Sequence, residues 1–136
     1  MMIKGDSMQR VSCLLLILLG LTACADESAV RLGPQQWQDT QFVVESRPSP
    51  IRVGMNEFIV IATRERGRPG VGLVVSLRVN NEGDWHQAIQ DGFTGVYRRA
   101  VKIDNPQTDV LSVQVRRSRP KQGEDSETTL NFPLGK

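Results

Sequence analysis

Beyond residue 41 apolar and polar residues alternate with period two, the spacing that sends successive side chains to opposite faces of a β-strand. QFVVES reads as a first short strand, and the two prolines of the following RPSP bar a central-strand ladder there. In NEFIVIATR, Phe58, Val60 and Ala62 share one face while Ile59 and Ile61 share the other. Apolar groups on both faces predict a strand inside the sandwich. ERGRPGVG supplies a turn, its glycines and Pro69 suited to backbone angles that β-branched residues avoid.

LVVSLRV predicts a core face of Val75, Leu77 and Val79, and NNEG turns the chain. WHQAIQ reads as one strand, with Trp85, Gln87 and Ile89 on one side and His86 and Ala88 on the other, before the tight-turn signal DG. GVYRRAVKI turns Tyr97, Val101 and Ile103 inward against Arg98, Ala100 and Lys102, with Arg99 breaking the inward series near an edge. VLSVQVRR and TTLNFPL complete the pattern with Leu111, Val113, Val115, Leu130, Phe132 and Leu134 facing in. About seven short strands separated by turn signals, with no sustained helical period, predict an all-β fold: a single immunoglobulin-like antiparallel β-sandwich.

The N-terminus follows a different pattern. Lys4 and Arg10 precede an apolar segment from Val11 to Leu21, then the small residues Thr22 and Ala23 before Cys24. That order of charge, apolar run and small residues is the layout of an export signal. Eleven helical residues rise only about 16 Å, roughly half of a hydrocarbon core, so a membrane span is the weaker reading. ADESAVRLGPQQWQDT, residues 25–40, is polar with Gly33-Pro34 in its middle and reads as a flexible tether on which Trp37 can dock back. The expected organisation is a signal peptide over 1–23, Cys24 and a tether over 24–40, and the sandwich over 41–136.

Leu21-Thr22-Ala23-Cys24 resembles the lipobox of bacterial lipoproteins. The resemblance implies that the Cys24 thiol receives a diacylglyceryl group, that the chain is cut to leave Cys24 first, and that two or three acyl chains hold it to a membrane. An ordinary signal peptide cut nearby is the alternative; it would leave an odd cysteine in an oxidising compartment. In lipoproteins an aspartate directly after the cysteine commonly signals inner-membrane retention. Here that position is Ala25, which implies sorting to the outer membrane with the domain facing the periplasm.

Removal of residues 1–23 leaves 113 residues, enough for one ordinary domain. Cys13 leaves with the signal and Cys24 carries lipid, so no disulfide is expected and the fold must rest on its apolar core. The 17 basic and 15 acidic residues become 15 and 14 once Lys4, Arg10 and Asp6 are lost. That near balance argues against nucleic acid as a partner.

PSPIRVGMNEFIVIATRERGRPGVGLVVSLRV followed by DGFTGVYRRAV looks like the YtkA-like and FixH-like periplasmic domains. DGFTGVY within it resembles an aspartate-glycine-tyrosine corner of bacterial sandwich domains. That resemblance implies a structural role for Asp91, Gly95 and Tyr97, the tyrosine hydroxyl capping backbone near the turn.

Little catalytic chemistry is legible. The mature chain has one histidine, His86, expected on the outer side of its strand beside Trp85, no free cysteine and no G-x-S-x-G elbow, so a nucleophile and base pair is wanting. Some relatives of this sandwich type handle copper or assist oxidase assembly, but soft ligands here reduce to Met55 and His86. Glu124, Asp125 and Glu127 lack the spacing that wraps calcium. No catalytic, cofactor or metal residue is assigned.

What remains is arginine: Arg64, Arg66 and Arg68 in the first long turn, Arg98 and Arg99 on a strand, and Arg116, Arg117 and Arg119 with Lys121 at the end of another. Guanidinium groups fork onto phosphate and carboxylate. The arginines are therefore the candidate surface for an anionic partner, an envelope protein or polymer, or else they serve to protect strand edges. The functional expectation is a non-enzymatic, lipid-anchored binding module of the cell envelope, with a copper or oxidase accessory factor as the alternative.

Overall fold

The structure, a computed structural model, describes residues 29–135. The signal segment, the lipobox and Cys24 lie outside the described residues. Within them the chain forms two antiparallel sheets facing one another. One has the order β1-β2-β3-β7-β6 and the other β5-β4-β8-β9. The strands are β1 (Arg31–Trp37), β2 (Thr40–Arg47), β3 (Gly54–Arg64), β4 (Leu73–Val79), β5 (Glu82–Gln87), β6 (Ile89–Gln90), β7 (Val96–Ile103), β8 (Val110–Arg117) and β9 (Glu127–Pro133). Setting β1 aside, β2-β3-β7-β6 and β5-β4-β8-β9 reproduce the A-B-E-D and C′-C-F-G strand orders of immunoglobulin domains. The chain is thus an immunoglobulin-like sandwich with one added edge strand.

The period-two pattern builds the core directly. Phe42 and Val44 of β2, Phe58, Val60 and Ala62 of β3, and Tyr97, Val101 and Ile103 of β7 face inward from one sheet. Val75 and Leu77 of β4, Leu111, Val113 and Val115 of β8, and Leu130 and Phe132 of β9 meet them from the other. Complete burial of each large side chain contributes about 1.5–3 kcal/mol, and these layers hold the sheets together with no disulfide between them. β3 lies between β2 and β7, and Ile59 on its outer face is also buried.

Three sequence expectations are corrected. Residues 31–37, read as tether, form β1, which pairs with β2 and sends Leu32 and Trp37 against the core. Gly33 is the reason the segment resists reading: with φ of +97° it bulges the strand between Leu32 and Gln35 and breaks the alternation. An added Cβ at Gly33 would stand 3.0 Å from the Phe42 carbonyl oxygen. Second, WHQAIQ is not one strand. It splits at buried Ala88 into β5 and β6, which belong to different sheets. Third, His86 pairs with the core residue Leu77 and so sits on the inner side of edge strand β5, although it stays exposed.

Antiparallel pairing sorts the connections to two poles. The β1–β2, β3–β4, β6–β7 and β8–β9 connections gather at one, here the loop pole. The β2–β3, β4–β5 and β7–β8 connections gather at the other, here the N-terminal pole, with Ala29 and Val30, which lead into β1; the Val30 N–H donates to Ser49 Oγ at 2.9 Å. β3, 11 residues long, runs from one pole to the other, roughly 35 Å.

The N-terminal pole is pinned by two buried side chains. Asn56 accepts from the Arg52 N–H at 3.0 Å and donates to the Arg52 and Gly54 carbonyls. Asp109 accepts from the Asp104 and Asn105 N–H groups and from Asn80 Nδ2. The Asn105 backbone bond is the chief cause that holds the Asp109 carboxyl below its ordinary pKa.

Candidate functional site

At the loop pole a positive-φ residue, Gln38, turns β1 into β2 and places Asp39 between two arginines from different sheets. Asp39 Oδ2 accepts from Arg64 Nε at 2.9 Å and Nη2 at 2.6 Å. Its Oδ1 accepts from Arg117 Nη2 at 3.2 Å and from the Thr40 hydroxyl at 3.0 Å. Arg117 also donates to Gln38 Oε1 and lies over the Trp37 ring, 5.3 Å from its centroid. Gln38 Nε2 in turn donates to the Asp125 carbonyl oxygen, tying the β8–β9 connection to β1. Around this clasp opens a cleft of about 600 Å³, lined further by Arg119, Lys121 and Glu124.

The Arg64 guanidinium beside Asp39 is the main cause that brings its carboxyl from 3.8 down to about 2. A depressed carboxyl stabilises the fold above the unfolded value, and that contribution disappears as the pH falls from about 4 to about 2. The Asp39 side chain is 36% exposed, so solvent screening cuts the effect to about 1 kcal/mol. Asp39→Asn is therefore expected to lower stability by about 1 kcal/mol at pH 7 and to match the parent near pH 2, as read by urea midpoints across that range. An undiminished gap at pH 2 would mean that the carboxylate charge is not what the arginines hold.

The sequence-predicted arginines do not form one surface. Arg64, Arg117 and Arg119 meet at the cleft, but Asp39 engages the first two. Arg66 and Arg68 ride the 3₁₀ turn Glu65–Gly67 and its cap at the same pole, Arg66 with φ of 60°. The side chains of Arg119, Lys121 and Arg66 make no hydrogen bond or ion pair among the described residues, which leaves them as this pole's uncommitted cations. Arg98 and Arg99 stand apart on β7, beside Met55, Glu57 and Ile89, where Arg98 Nη2 lies 3.5 Å from Asp91 Oδ2. Arg99 sits where the two-residue β6 stops pairing, at the open edge of β7. Arg116 is exposed on β8 opposite Glu127.

Tyr97 is buried on β7, the E-equivalent strand, and its hydroxyl donates to the Gly70 carbonyl at 2.9 Å. Its hydrogen-bond acceptor is thus in the β3–β4 connection rather than the adjacent β6–β7 turn. Burial pushes its phenol pKa up from 10.0, partly offset by the Leu73 backbone N–H. Gly95, with φ of +76°, gives its carbonyl to the Ala62 N–H, and an added Cβ would lie 2.5 Å from the Ala62 carbonyl oxygen. Asp91 shapes the turn through its carbonyl, which accepts from Thr94 Oγ1 at 2.6 Å.

The sequence reading missed Phe93. At the tip of this turn it is 86% exposed, and with Val71, Arg117 and Arg119 it lines a shallow cleft of about 500 Å³. The signal was available: a phenylalanine placed between Gly92 and Gly95, in a turn too tight to reach the core.

Met55 lies on β3 and His86 on β5, in different sheets, and among the described residues no three His, Cys, Asp or Glu side chains gather to hold a metal. Nor is any helix among them long and apolar enough to cross a membrane.

No family model matches the chain, and no curated protein matches it. A crystal structure of the Br derivative of BhCBM56 aligns at 17% identity with a TM-score of 0.44, over 74% of this chain and 99% of that one. So distant a likeness carries no ligand across.

Proposed function

We propose that this protein is a non-enzymatic, lipid-anchored binding module of the bacterial envelope that presents its loop pole to an anionic partner. The observation that carries the reading is polarity. The chain leaves β1 toward Cys24 at one end of the sandwich, while exposed Phe93 and the uncommitted Arg66, Arg119 and Lys121 stand at the other. Acyl chains on Cys24 would hold the first end at the outer membrane and leave the second facing the periplasm. An aromatic anchor rimmed by cations suits an acidic patch of an envelope protein, because the ring contributes desolvated contact area and the rim sets charge preference. Loops on a rigid sandwich are also where recognition residues concentrate.

A photoreactive amino acid at position 93 tests this in intact cells. It is expected to yield a discrete protein adduct, whereas the same group at exposed Asp84 on β5 yields none. Reversing Arg119 and Lys121 to Glu replaces attraction by repulsion at a solvent-exposed rim, about 1–2 kcal/mol, and is expected to cut the adduct about tenfold. Equal labelling from positions 93 and 84, or an adduct indifferent to the charge reversal, would contradict the proposal.

A further inference from the structure

The N-terminal pole carries a second surface, distinct from the loops. Val53 is 72% exposed and Met55 63%, two of the most exposed large apolar side chains among the described residues. Neither is a loose tip. The buried Asn56 amide clasps Arg52 on both its N–H and its carbonyl and also holds the Gly54 carbonyl, so the bend projects Val53 outward by construction. Gly54, at φ of +104°, supplies the backbone angle this bend needs. Cations flank the pair: Arg52 is exposed next to Val53 in the chain, Arg47 is exposed at the end of β2 across the ladder from Glu57, and Lys102 stands across the ladder from Met55. Asp104, 3.7 Å from Lys102 Nζ, offsets part of that charge.

The geometry of the chain selects what covers this patch. Ala29 lies against Arg47, Pro48 and Ser49, and Val30 is hydrogen-bonded to Ser49. Six residues, 25–30, separate Cys24 from β1. Even fully extended, the seven steps from Cys24 to Arg31 span at most about 25 Å, less than the length of the sandwich. A membrane holding Cys24 therefore lies close to this pole.

We infer that the N-terminal pole is a docking face for an anionic phospholipid bilayer, with Val53 and Met55 at the headgroup boundary and Arg47, Arg52 and Lys102 over lipid phosphates. Apolar side chains within a basic rim are the chemistry of interfacial binding. The face would add to the acyl anchor and fix the domain upright, so that the loop pole points away from the membrane. The inference rests on the lipid-anchored reading.

The described residues contain no cysteine, so Val53→Cys and Phe93→Cys each give a single handle for an environment-sensitive dye. The test uses full-length protein, processed in cells and reconstituted in phosphatidylethanolamine–phosphatidylglycerol vesicles. The dye at 53 is expected to shift to the blue and to lose most of its emission to lipids brominated near the headgroup, while the dye at 93 keeps a water-like spectrum. Arg52→Glu with Lys102→Glu is expected to reverse the blue shift at 53. A water-like dye at 53 on vesicle-bound protein would overturn the inference while leaving the anchor intact. Parent protein that takes up dye at Cys24 and fails to float with vesicles would overturn the anchor itself, and the docking face with it.

Discussion

Tyr97→Phe is expected to lower the stability of the sandwich by about 1–3 kcal/mol, the cost of leaving a buried carbonyl without its donor. The hydroxyl lost is the one that holds Gly70, and with it the β3–β4 connection, against the inner face of β7. Tyr97→Ala removes the ring as well. It is expected to cost a further 3–5 kcal/mol, because the ring is fully buried among the layers of the core and its neighbours cannot collapse into the space. Against a total of about 5–15 kcal/mol for a domain of this size, the alanine variant would be largely unfolded near body temperature.

Denaturant midpoints at constant slope measure both. pH adds a signature of the hydroxyl itself. Its folded pKa is raised above the unfolded 10.0, so its contribution is whole below pH 10 and declines as the pH climbs toward the folded value. The parent and Phe variant should therefore converge in alkali. A Phe variant as stable as the parent at pH 7 would refute this role.

The core was legible because its chemistry is local. Phe58, Val60 and Ala62 repeat every second residue, and a sheet with one buried face has few ways to satisfy that spacing. β1 was not legible because a bulge at Gly33-Pro34 resets the alternation, so that Leu32 and Trp37 fall out of phase though both pack on the core. The switch of sheets at Ala88 was hidden for the opposite reason. Alternation continues unbroken from Trp85 to Ile89, yet Ala88 gives its N–H to Val75 in one sheet while Ile89 pairs with Arg98 in the other.

The arginines show a different limit. Sequence counts charges but does not pair them across 25 or 78 positions, and Asp39 reaches Arg64 and Arg117 over those separations. Once they are paired, the uncommitted charge moves outward to Arg66, Arg119 and Lys121, next to a phenylalanine that periodicity had no reason to notice.

Cys24→Ser is the substitution with the largest expected consequence for location. A single acyl chain binds a bilayer reversibly, with an affinity of about 10⁴ M⁻¹, whereas two or three make release negligible on a cellular timescale. Serine offers no thiol for the diacylglyceryl group. The variant is therefore expected to leave the outer-membrane fraction almost completely, its N-terminal pole alone being too small to retain it there, while its sandwich unfolds at the same denaturant midpoint as the parent. The most direct measurement is the intact mass of the parent chain extracted from outer membranes. The account predicts a polypeptide beginning at Cys24 and heavier than residues 24–136 by a diacylglyceryl group and an acyl chain. An unmodified chain of any length, still membrane-bound, would contradict it.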